Sequence, residues 1–305
     1  MRVLLIVPAR NEALTLGRWA TLAGTMNAAD RRLLVVDDHS TDDTMQVARA
    51  AGLECMGSRL APGKAGAVRT GLDEAARWGA DVVGIADADV ELENDAVEAA
   101  AARLADPAVG MVTGRQVFDR PDAYDRFTSR VRRIESITGD VMSVHGQLLL
   151  WRAEVGPVPT PGLAADDLDL RMQVRSRGLA VVQEHAAVFR ESKPADADAR
   201  RRQALRRARA FWPALIRHWP GRGLPLRARL QLVAYLVVPP LVPLAVVGGW
   251  ILLTILHPLL AAALLVVVLA LPPGRQWLRI AALILASGFG GLMGRRTGDA
   301  WEPSR

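Results

Sequence analysis

Cysteine is almost absent from this sequence of 305 residues, because Cys55 is the only one. A single cysteine excludes an intramolecular disulfide and a metal cluster built from several thiolates. The five histidines show no metal-ligand spacing either. No Gly-x-Gly-x-x-Gly follows a predicted strand, so nothing in the sequence supports a dehydrogenase. These absences remove disulfide scaffolds, thiolate metal clusters and dinucleotide-binding enzymes from the candidate classes.

Acidic residues are also absent from a long stretch of the chain, since none lies between Asp198 and Asp299. The stretch opens with a group of arginines and then turns almost wholly apolar. These arginines are Arg200, Arg201, Arg202, Arg206, Arg207 and Arg209. A basic segment before an apolar one is typical of the cytoplasmic side of a membrane, where positive residues accumulate. Because apolar residues follow at once, nucleic-acid binding is not expected.

Two apolar stretches, 230–271 and 280–293, follow the basic segment. About 20 apolar residues are needed to span a bilayer, so the first stretch has room for two helices and the second for one more. The prolines inside the first stretch are tolerated in membrane helices. We therefore predict two to three transmembrane helices in a multi-pass protein of the cell membrane, with the preceding domain in the cytoplasm. A second soluble, all-α domain is the alternative.

Strands and helices alternate through the part of the chain that precedes the basic segment. Buried strands are predicted within "RVLLIVPARNEA", "RRLLVVDDHSTDDT" and "DVVGIADADV", with helical patterns between them. Alternation at this spacing indicates parallel βαβ units and an α/β sheet that is covered by helices on both faces. Ligands bind such sheets beyond the carboxyl ends of the strands. Polar clusters follow Val7, Val36 and Ala86, so we predict a site at that edge.

Asp87 and Asp89 place two like charges one residue apart at the end of a buried strand. Buried carboxylates without partners are strongly disfavoured. The cost falls when a divalent cation lies between the carboxylates and a diphosphate, since Mg²⁺ and Mn²⁺ prefer a few carboxylates together with phosphate oxygens. The pair alone is a weak signal, because most such pairs are solvated turn residues.

Other charged residues fall near the same predicted edge. Asp37 and Asp38 end a second strand, and Lys64 follows a Pro-Gly turn where it can meet a diphosphate. A third acidic group lies within "AADDLDLRMQVRSRG", which starts acidic and continues with helical spacing. Carboxylates, a cation and phosphate-binding side chains at one sheet edge indicate transfer from a nucleotide-diphosphate donor.

In this order the motifs resemble the family 2 glycosyltransferases, which have the nucleotide-diphospho-sugar transferase fold termed GT-A. The segment "VVDDHSTDDT" is similar to the nucleotide-binding turn of that family and is the most specific single match. "AADDLDLRMQVRSRG" resembles the start of the helix that carries the family's base. The remaining matching segments are "VPARNEA", "GKAGAVRTGL", "DADV" and "QALRR".

The resemblance implies an inverting, metal-dependent glycosyltransferase that moves a hexose or hexosamine from a nucleotide-diphospho-sugar to a lipid, lipid-linked or polysaccharide acceptor. A UDP-sugar is the favoured donor and a GDP-sugar is the alternative. Asp167 is implied as the catalytic base, with Asp166 and Asp169 as rivals, and Asp87 and Asp89 as ligands of Mn²⁺ or Mg²⁺. The implied nucleotide-sugar contacts are Pro8, Ala9, Glu12, Asp37, Asp38, Lys64, Asp87, Gln203 and Arg206.

One departure from the family pattern concerns the number of transfers. Arg207 stands where the motif Gln-x-x-Arg-Trp, associated with polymerising members, has its tryptophan. A single transfer is therefore expected, and a processive polysaccharide synthase is the alternative. A non-catalytic nucleotide-sugar-binding subunit of a membrane complex is a further alternative, whose mark would be a missing base or metal pair. Neither is missing from this sequence.

These observations divide the chain into four parts. We expect a GT-A domain at 1–215, a basic juxtamembrane segment at 216–229, a transmembrane region at 230–294 and a polar tail at 295–305.

Overall fold

The fold is seen in a computed structural model of the chain. The structure describes residues 1–26, 29–118, 121, 123–191, 206, 209–271, 275 and 278. The predicted contact Gln203, the departure at Arg207, the apolar stretch 280–293 and the tail 295–305 lie outside the described residues.

A sheet of eight strands forms the centre of the domain, in the order β3-β2-β1-β4-β7-β6-β8-β5. Strands β1, β2, β3 and β4 are mutually parallel, as are β6 and β8, whereas β7 runs antiparallel to β4 and β6, and β5 to β8. The mixed, mostly parallel sheet confirms the predicted α/β class. The strands are β1 (Val3–Ala9), β2 (Arg31–Asp37), β3 (Glu54–Gly57), β4 (Val82–Ala86), β5 (Val90–Leu92), β6 (Val109–Val117), β7 (Leu148–Arg152) and β8 (Ala180–Glu191).

Among the elements whose bounds the structure describes, six helices cover the sheet and two follow it; residues 209–217, between the two sets, are also helical. The first six are α1 (Trp19–Met26), α2 (Thr44–Ala50), α3 (Lys64–Trp78), α4 (Ala96–Arg103), α5 (Ala123–Ile137) and α6 (Asp166–Ser176). The two that follow are α7 (Leu226–Leu256) and α8 (Pro258–Ala270).

Strand β1 shows why the sheet is buried on both faces. All seven of its residues are buried, because apolar side chains that alternate in direction along a strand reach two separate cores. Leu5 and Val7 belong to the core on one face, and Leu4 and Ile6 to the core on the other. Helix α3 packs closely on the second face, since a Cβ at Gly71 would lie 2.7 Å from Cγ2 of Ile6.

A third hydrophobic cluster joins the domain to the C-terminal helices. It includes Met142, Leu168 and Met172 from the domain, and Ala228 and Leu232 from α7. Because α7 already begins at Leu226, the helix starts inside the segment 216–229 that was predicted as juxtamembrane.

Among the described residues, α7 is the one helix long and apolar enough to cross a membrane. Only 6% of its apolar window is buried in the described part of the chain, whereas the core helix of a soluble domain is mostly buried. Helix α8 is apolar but has only 13 residues, fewer than the roughly 20 that span a bilayer. The structure thus provides one such helix where the sequence predicted two to three.

Candidate active site

The carboxyl ends of β1, β2 and β4 meet at one edge of the sheet. Pro8 pairs with Val36, Ala9 pairs with Asp37, and β4 runs parallel on the other side of β1. The loops after β1 and β2 are hydrogen-bonded to each other, because Thr41 N donates to Asn11 Oδ1 at 2.8 Å and Asn11 N donates to Ser40 Oγ at 2.9 Å. The two loops therefore form one rigid wall of a site, as the parallel arrangement predicts.

Glu12 is buried in this wall, beside the end of β1. Its backbone N–H donates to Thr44 Oγ1 at 2.8 Å, and its carboxylate accepts from Thr15 Oγ1 at 2.5 Å. These contacts fix the backbone that follows Pro8 and Ala9. The predicted role of Glu12 in lining a nucleotide pocket stays a prediction.

Asp37 and Asp38 are adjacent in sequence but have different environments. Asp38 is fully buried and accepts from Gly63 N at 2.9 Å, so it positions the loop that leads to Lys64. Asp37 accepts from Ser40 N at 3.3 Å through Oδ2, whereas its Oδ1 is buried with no hydrogen-bond partner in the described part of the chain. Asp37 Oδ1 therefore has no donor among the described residues, whereas Asp38 positions a loop.

Lys64, at the start of α3, connects two of the acidic groups that the sequence separates. Its Nζ lies 2.8 Å from Asp87 Oδ1 and 3.4 Å from Asp166 Oδ2. Burial opposes the charged form of this lysine, but the attraction of Asp166 and Asp87 outweighs it and raises the pKa of Lys64. The ammonium group is therefore positively charged throughout the physiological range.

Asp167 lies on the first turn of α6, next to this ion-paired group. Burial and the repulsion of neighbouring Asp166 raise the pKa of Asp167 to about 6, although Leu168 N donates to its Oδ1 at 2.8 Å. The backbone at Gly146 packs against this side chain, because a Cβ at Gly146 would lie 3.2 Å from Asp167 Cβ. A side chain at position 146 would therefore be in tight contact with Asp167, a close approach of loop and helix that the sequence reading missed.

Asp169 belongs to the same acidic group but faces another environment. Burial favours its neutral form, yet hydrogen bonds from His218 and Thr160 outweigh burial and lower the pKa of Asp169. His218 Nε2 lies 2.8 Å from Asp169 Oδ1, and Thr160 N donates to Oδ2 at 3.1 Å. A carboxylate with a lowered pKa and several donors is a poor proton acceptor, which favours Asp167 over Asp169 as a base.

The turn with Asp87 and Asp89 is held from the opposite side by α1 and the 3₁₀ turn before it. Trp19 Nε1 donates to the carbonyl of Ala88 at 2.9 Å, and an Arg18 guanidinium N–H donates to the carbonyl of Asp89 at 3.3 Å. Both carboxylates are half-buried at the sheet edge. Their main chain is thus fixed, and both side chains are partly exposed at the site.

The donor set at this edge fits a hard divalent cation. Oxygen ligands are what Mg²⁺ and Mn²⁺ take, and Asp166 and Asp167 add negative charge beside Asp87 that Lys64 alone does not balance. No group of three or more His, Cys, Asp or Glu with metal-site geometry occurs among the residues that the structure describes. A cation held by Asp87 and Asp89 would therefore need further oxygens from a phosphate or from water.

Arg206 is helical and exposed in the structure. With Gln203 outside the described residues, the two predicted contacts from "QALRR" stay predictions.

Sequence comparison identifies the family. A family model described as glycosyltransferase like family 2 matches residues 1–210, which is more than half of the chain. The chain belongs to glycosyltransferase family 2. The resemblance that the sequence motifs indicated is thereby confirmed.

Solved structures with the same fold include other glycosyltransferases. The mannosyltransferase PcManGT from Pyrobaculum calidifontis, solved with GDP-Man and Mn²⁺, is 24% identical, covering 96% of this chain and 88% of its own, with a TM-score of 0.82. Glucosyl-3-phosphoglycerate synthase from Mycobacterium tuberculosis, solved with Mn²⁺, UDP and glucosyl-3-phosphoglycerate, is 20% identical, covering 70% of this chain and 79% of its own, with a TM-score of 0.50. At these identities the likeness shows the GT-A fold alone. No curated protein matches the sequence.

A second buried charged group lies farther along α6 in this glycosyltransferase, and the sequence reading missed it. Arg171 is fully buried, forms an ion pair with Asp140, donates to the carbonyl of Val141 at 3.0 Å and donates to Gln231 Oε1 of α7 at 3.0 Å. Arg175 donates to the other carboxylate oxygen of Asp140 at 3.1 Å. The group joins α6, the segment before β7 and α7, and no spacing in the sequence marks it.

Proposed function

We propose that this glycosyltransferase moves a hexose or hexosamine, with inversion, from a nucleotide-diphospho-sugar to a hydroxyl of a lipid, lipid-linked or polysaccharide acceptor at the cytoplasmic face of a membrane. The observation that carries the proposal is the convergence of Lys64, Asp87, Asp166 and Asp167 at the carboxyl edge of the sheet. A leaving diphosphate needs positive charge and the acceptor needs a base, and this edge offers both.

The nucleotide would lie against the wall formed by the ends of β1 and β2. The buried Oδ1 of Asp37 can accept a hydrogen bond from the imino N–H of a base, which uracil and guanine both carry. The backbone near Pro8 and Ala9, fixed through Glu12, would line the same pocket. PcManGT was solved with GDP-Man and the mycobacterial synthase with UDP, which supports a nucleotide sugar and leaves both bases as candidates.

The diphosphate would lie between Lys64 and the turn that carries Asp87 and Asp89. These two aspartates would hold Mn²⁺ or Mg²⁺, and the bound cation would supply positive charge that neutralises the leaving group. Structures of the two relatives solved with Mn²⁺ support this assignment. Lys64 already carries its positive charge beside Asp87 and would contribute electrostatic stabilisation at the same phosphates.

Asp167 would act as the base. Its carboxylate would take the proton of the acceptor hydroxyl while that oxygen forms a bond to the anomeric carbon and the bond from this carbon to the diphosphate oxygen breaks. A single displacement of this kind inverts the anomeric configuration and needs no covalent sugar intermediate. The pKa of about 6 keeps Asp167 ionised at neutral pH but more basic than an ordinary aspartate.

Helix α7 would anchor the catalytic domain to the membrane. Its length, its apolar composition and its exposed surface support this role, and the cluster of Met142, Leu168 and Ala228 would keep the site near the bilayer. The division into a catalytic domain at 1–215, a basic segment at 216–229, a membrane region at 230–294 and a tail at 295–305 is part of the same proposal.

The test is nucleoside diphosphate release by the detergent-solubilised full chain, across UDP-, GDP- and dTDP-sugars with Mn²⁺ and a membrane-lipid extract as acceptor. We expect release from one donor, dependent on the cation and lost in Asp89→Asn. The matched control is Asp73→Asn, which alters an exposed carboxylate on α3 and should leave release unchanged. Full metal-dependent turnover by Asp89→Asn would contradict the metal assignment. No release from any donor by folded protein would favour the non-catalytic alternative.

A further inference from the structure

Helix α5 has an inner face that is bonded to the domain. Asp125 is buried, Arg132 Nε donates to the carbonyl of Ser143 at 2.8 Å, and Ser136 Oγ donates to the carbonyl of Gln183 on β8 at 3.2 Å. These contacts fix which side of the helix points away from the sheet.

The opposite side of α5 exposes apolar side chains. Phe127 is 63% exposed, Ile134 is 64% exposed and Ile137 is 80% exposed. The first two lie seven positions apart, so two helical turns bring them onto one side of the helix. Three large apolar side chains presented together to solvent mark a surface that contacts something apolar.

Three arginines, Arg126, Arg130 and Arg133, are exposed among these apolar side chains. Arg126 donates to the carbonyl of Pro121 at 2.8 Å, and neither Arg130 nor Arg133 forms an ion pair with any residue that the structure describes. Of the two acidic residues of α5, Asp125 is buried and Glu135 is bonded to α7, so neither belongs to the exposed surface that carries the arginines. We call the six residues Arg126, Phe127, Arg130, Arg133, Ile134 and Ile137 the α5 outer face.

Direct contacts set the position of α5 along the proposed anchor. Glu135 Oε1 accepts from Tyr235 OH of α7 at 3.1 Å and from Gln231 Nε2 at 3.3 Å. Immediately beyond Tyr235, α7 exposes Val237, Val238 and Leu241. Immediately before Gln231, it exposes Arg227 and Arg229. The C-terminal part of the α5 outer face, with Ile134 and Ile137 beside Glu135, therefore lies at the level where α7 changes from basic to apolar, which is the pattern of a membrane–water interface.

We propose that the α5 outer face docks onto the surface of an anionic phospholipid bilayer. The apolar side chains would enter the boundary between headgroups and acyl chains while the arginines contact lipid phosphates, as in interfacial amphipathic helices. This inference rests on the proposed anchoring by α7. Because Asp140 links Arg171 of α6 to Gln231 of α7, docking would also fix the height of the catalytic helix above the bilayer.

The experiment measures quenching of a fluorescent label by nitroxide lipids in vesicles that contain the full chain. Replacing the only cysteine, by Cys55→Ser, allows one label at a chosen position. Ile134→Cys reports on α5, Val247→Cys reports on the middle of α7, and Ala50→Cys is the control, exposed on α2 at the far edge of the sheet. One nitroxide lipid carries the quencher near the headgroup and another near the end of the acyl chain.

We expect the headgroup nitroxide to quench the label at position 134 in vesicles with anionic lipid, and to quench the label at position 50 little. The triple variant Arg126→Gln, Arg130→Gln and Arg133→Gln should weaken docking by roughly fivefold per arginine. The matched triple variant Arg49→Gln, Arg77→Gln and Arg103→Gln, which removes exposed arginines from α2, α3 and α4, should leave quenching at position 134 unchanged.

Two failures can be told apart. Strong quenching at position 247 by the deep nitroxide, with quenching at 134 no stronger than at 50, would overturn the docking of α5 and leave the anchor standing. An absence of quenching at 247 would overturn the anchor and the inference together. Quenching at position 134 could also be equal in neutral and anionic vesicles and unchanged in the triple variant of Arg126, Arg130 and Arg133. That result would overturn the recognition of anionic lipid.

Discussion

The start of α6 and its later turns hold buried charges of opposite sign. At its start, Asp166 and Asp167 lie with Asp87 beside Lys64, which pairs with Asp87 and Asp166. Toward its end, Arg171 and Arg175 share Asp140, and the remaining donors of Arg171 reach a backbone carbonyl and Gln231. Among the described residues, three carboxylates lie near Lys64 in the first group, whereas in the second group two arginines share one carboxylate and also donate to neutral acceptors.

The helix dipole favours the acids in the first turn of α6 and Arg175 in its last turn. What separates the two groups, among the described residues, is the sign of the buried charge: carboxylates predominate at the start of α6 and arginines farther along it. Burial and the repulsion of Asp166 raise the pKa of Asp167, which shows that negative charge accumulates at the start of α6. The start of α6 is where a cation and a substrate are proposed to bind, while Arg171 farther along connects the domain to α7.

The largest effect is expected on catalysis, from a change at the start of α6. Asp167→Asn removes the proposed base, so kcat should fall by about 10²–10⁴-fold. The melting temperature should change little, because a buried carboxylate with a raised pKa does not stabilise the fold. The measurement is nucleoside diphosphate release at saturating donor, beside the unfolding curve of the same preparation.

Asp169→Asn, on the same helical turn, provides the contrast. It disturbs the hydrogen bonds with His218 and Thr160, so it should lower stability and retain most of kcat. A reversal, with kcat lost in Asp169→Asn and kept in Asp167→Asn, would assign the base to Asp169.

A smaller effect is expected on stability, from a change in the group around Asp140. Arg171→Leu leaves Asp140 buried without its main partner, and breaking a buried ion pair in this way costs about 3–5 kcal/mol in the free energy of unfolding. Arg177→Leu is the matched control, because Arg177 is exposed just past the end of α6. Chemical unfolding in detergent measures both. Equal stabilities of the two variants would show that the Asp140 group does not hold the fold together.

The sequence predicted the edge with the proposed site well, because its signals are local. Polar turns directly follow the buried strands that end at Ala9, Asp37 and Ala86, and parallel pairing alone brings those turns together. The sequence could not show that Asp38 accepts a hydrogen bond from Gly63 N, or that Lys64 forms ion pairs with both Asp87 and Asp166. Both contacts depend on where the start of α3 lies relative to the sheet edge.

The contacts around Asp140 could not be predicted from the sequence either, because they join residues that are far apart in the chain. Asp140 and Arg171 are 31 positions apart, and Gln231 is 60 positions beyond Arg171. Nothing in "TGDVM" or "RLQLVAY" distinguishes these residues from solvated ones. The apolar composition predicted membrane helices but not their division. Pro239, Pro240 and Pro243 lie inside α7 and do not end it, whereas Pro258 begins α8.

The smallest effect expected is a shift in the pH profile of activity. It tests whether repulsion from Asp166 raises the pKa of Asp167. The base works when deprotonated, so with a pKa of about 6 the value of kcat/KM should rise with pH, about tenfold per unit below 6, and level off above it. Asp166→Asn removes the repulsion that helps to raise the pKa of Asp167, so the inflection should move to lower pH. Asp73→Asn, a change of the same kind far from the site, should leave the inflection in place. An inflection that stays near 6 in Asp166→Asn would mean that burial alone raises the pKa, and the contrast between the two ends of α6 would then be one of solvation and not of unmatched charge.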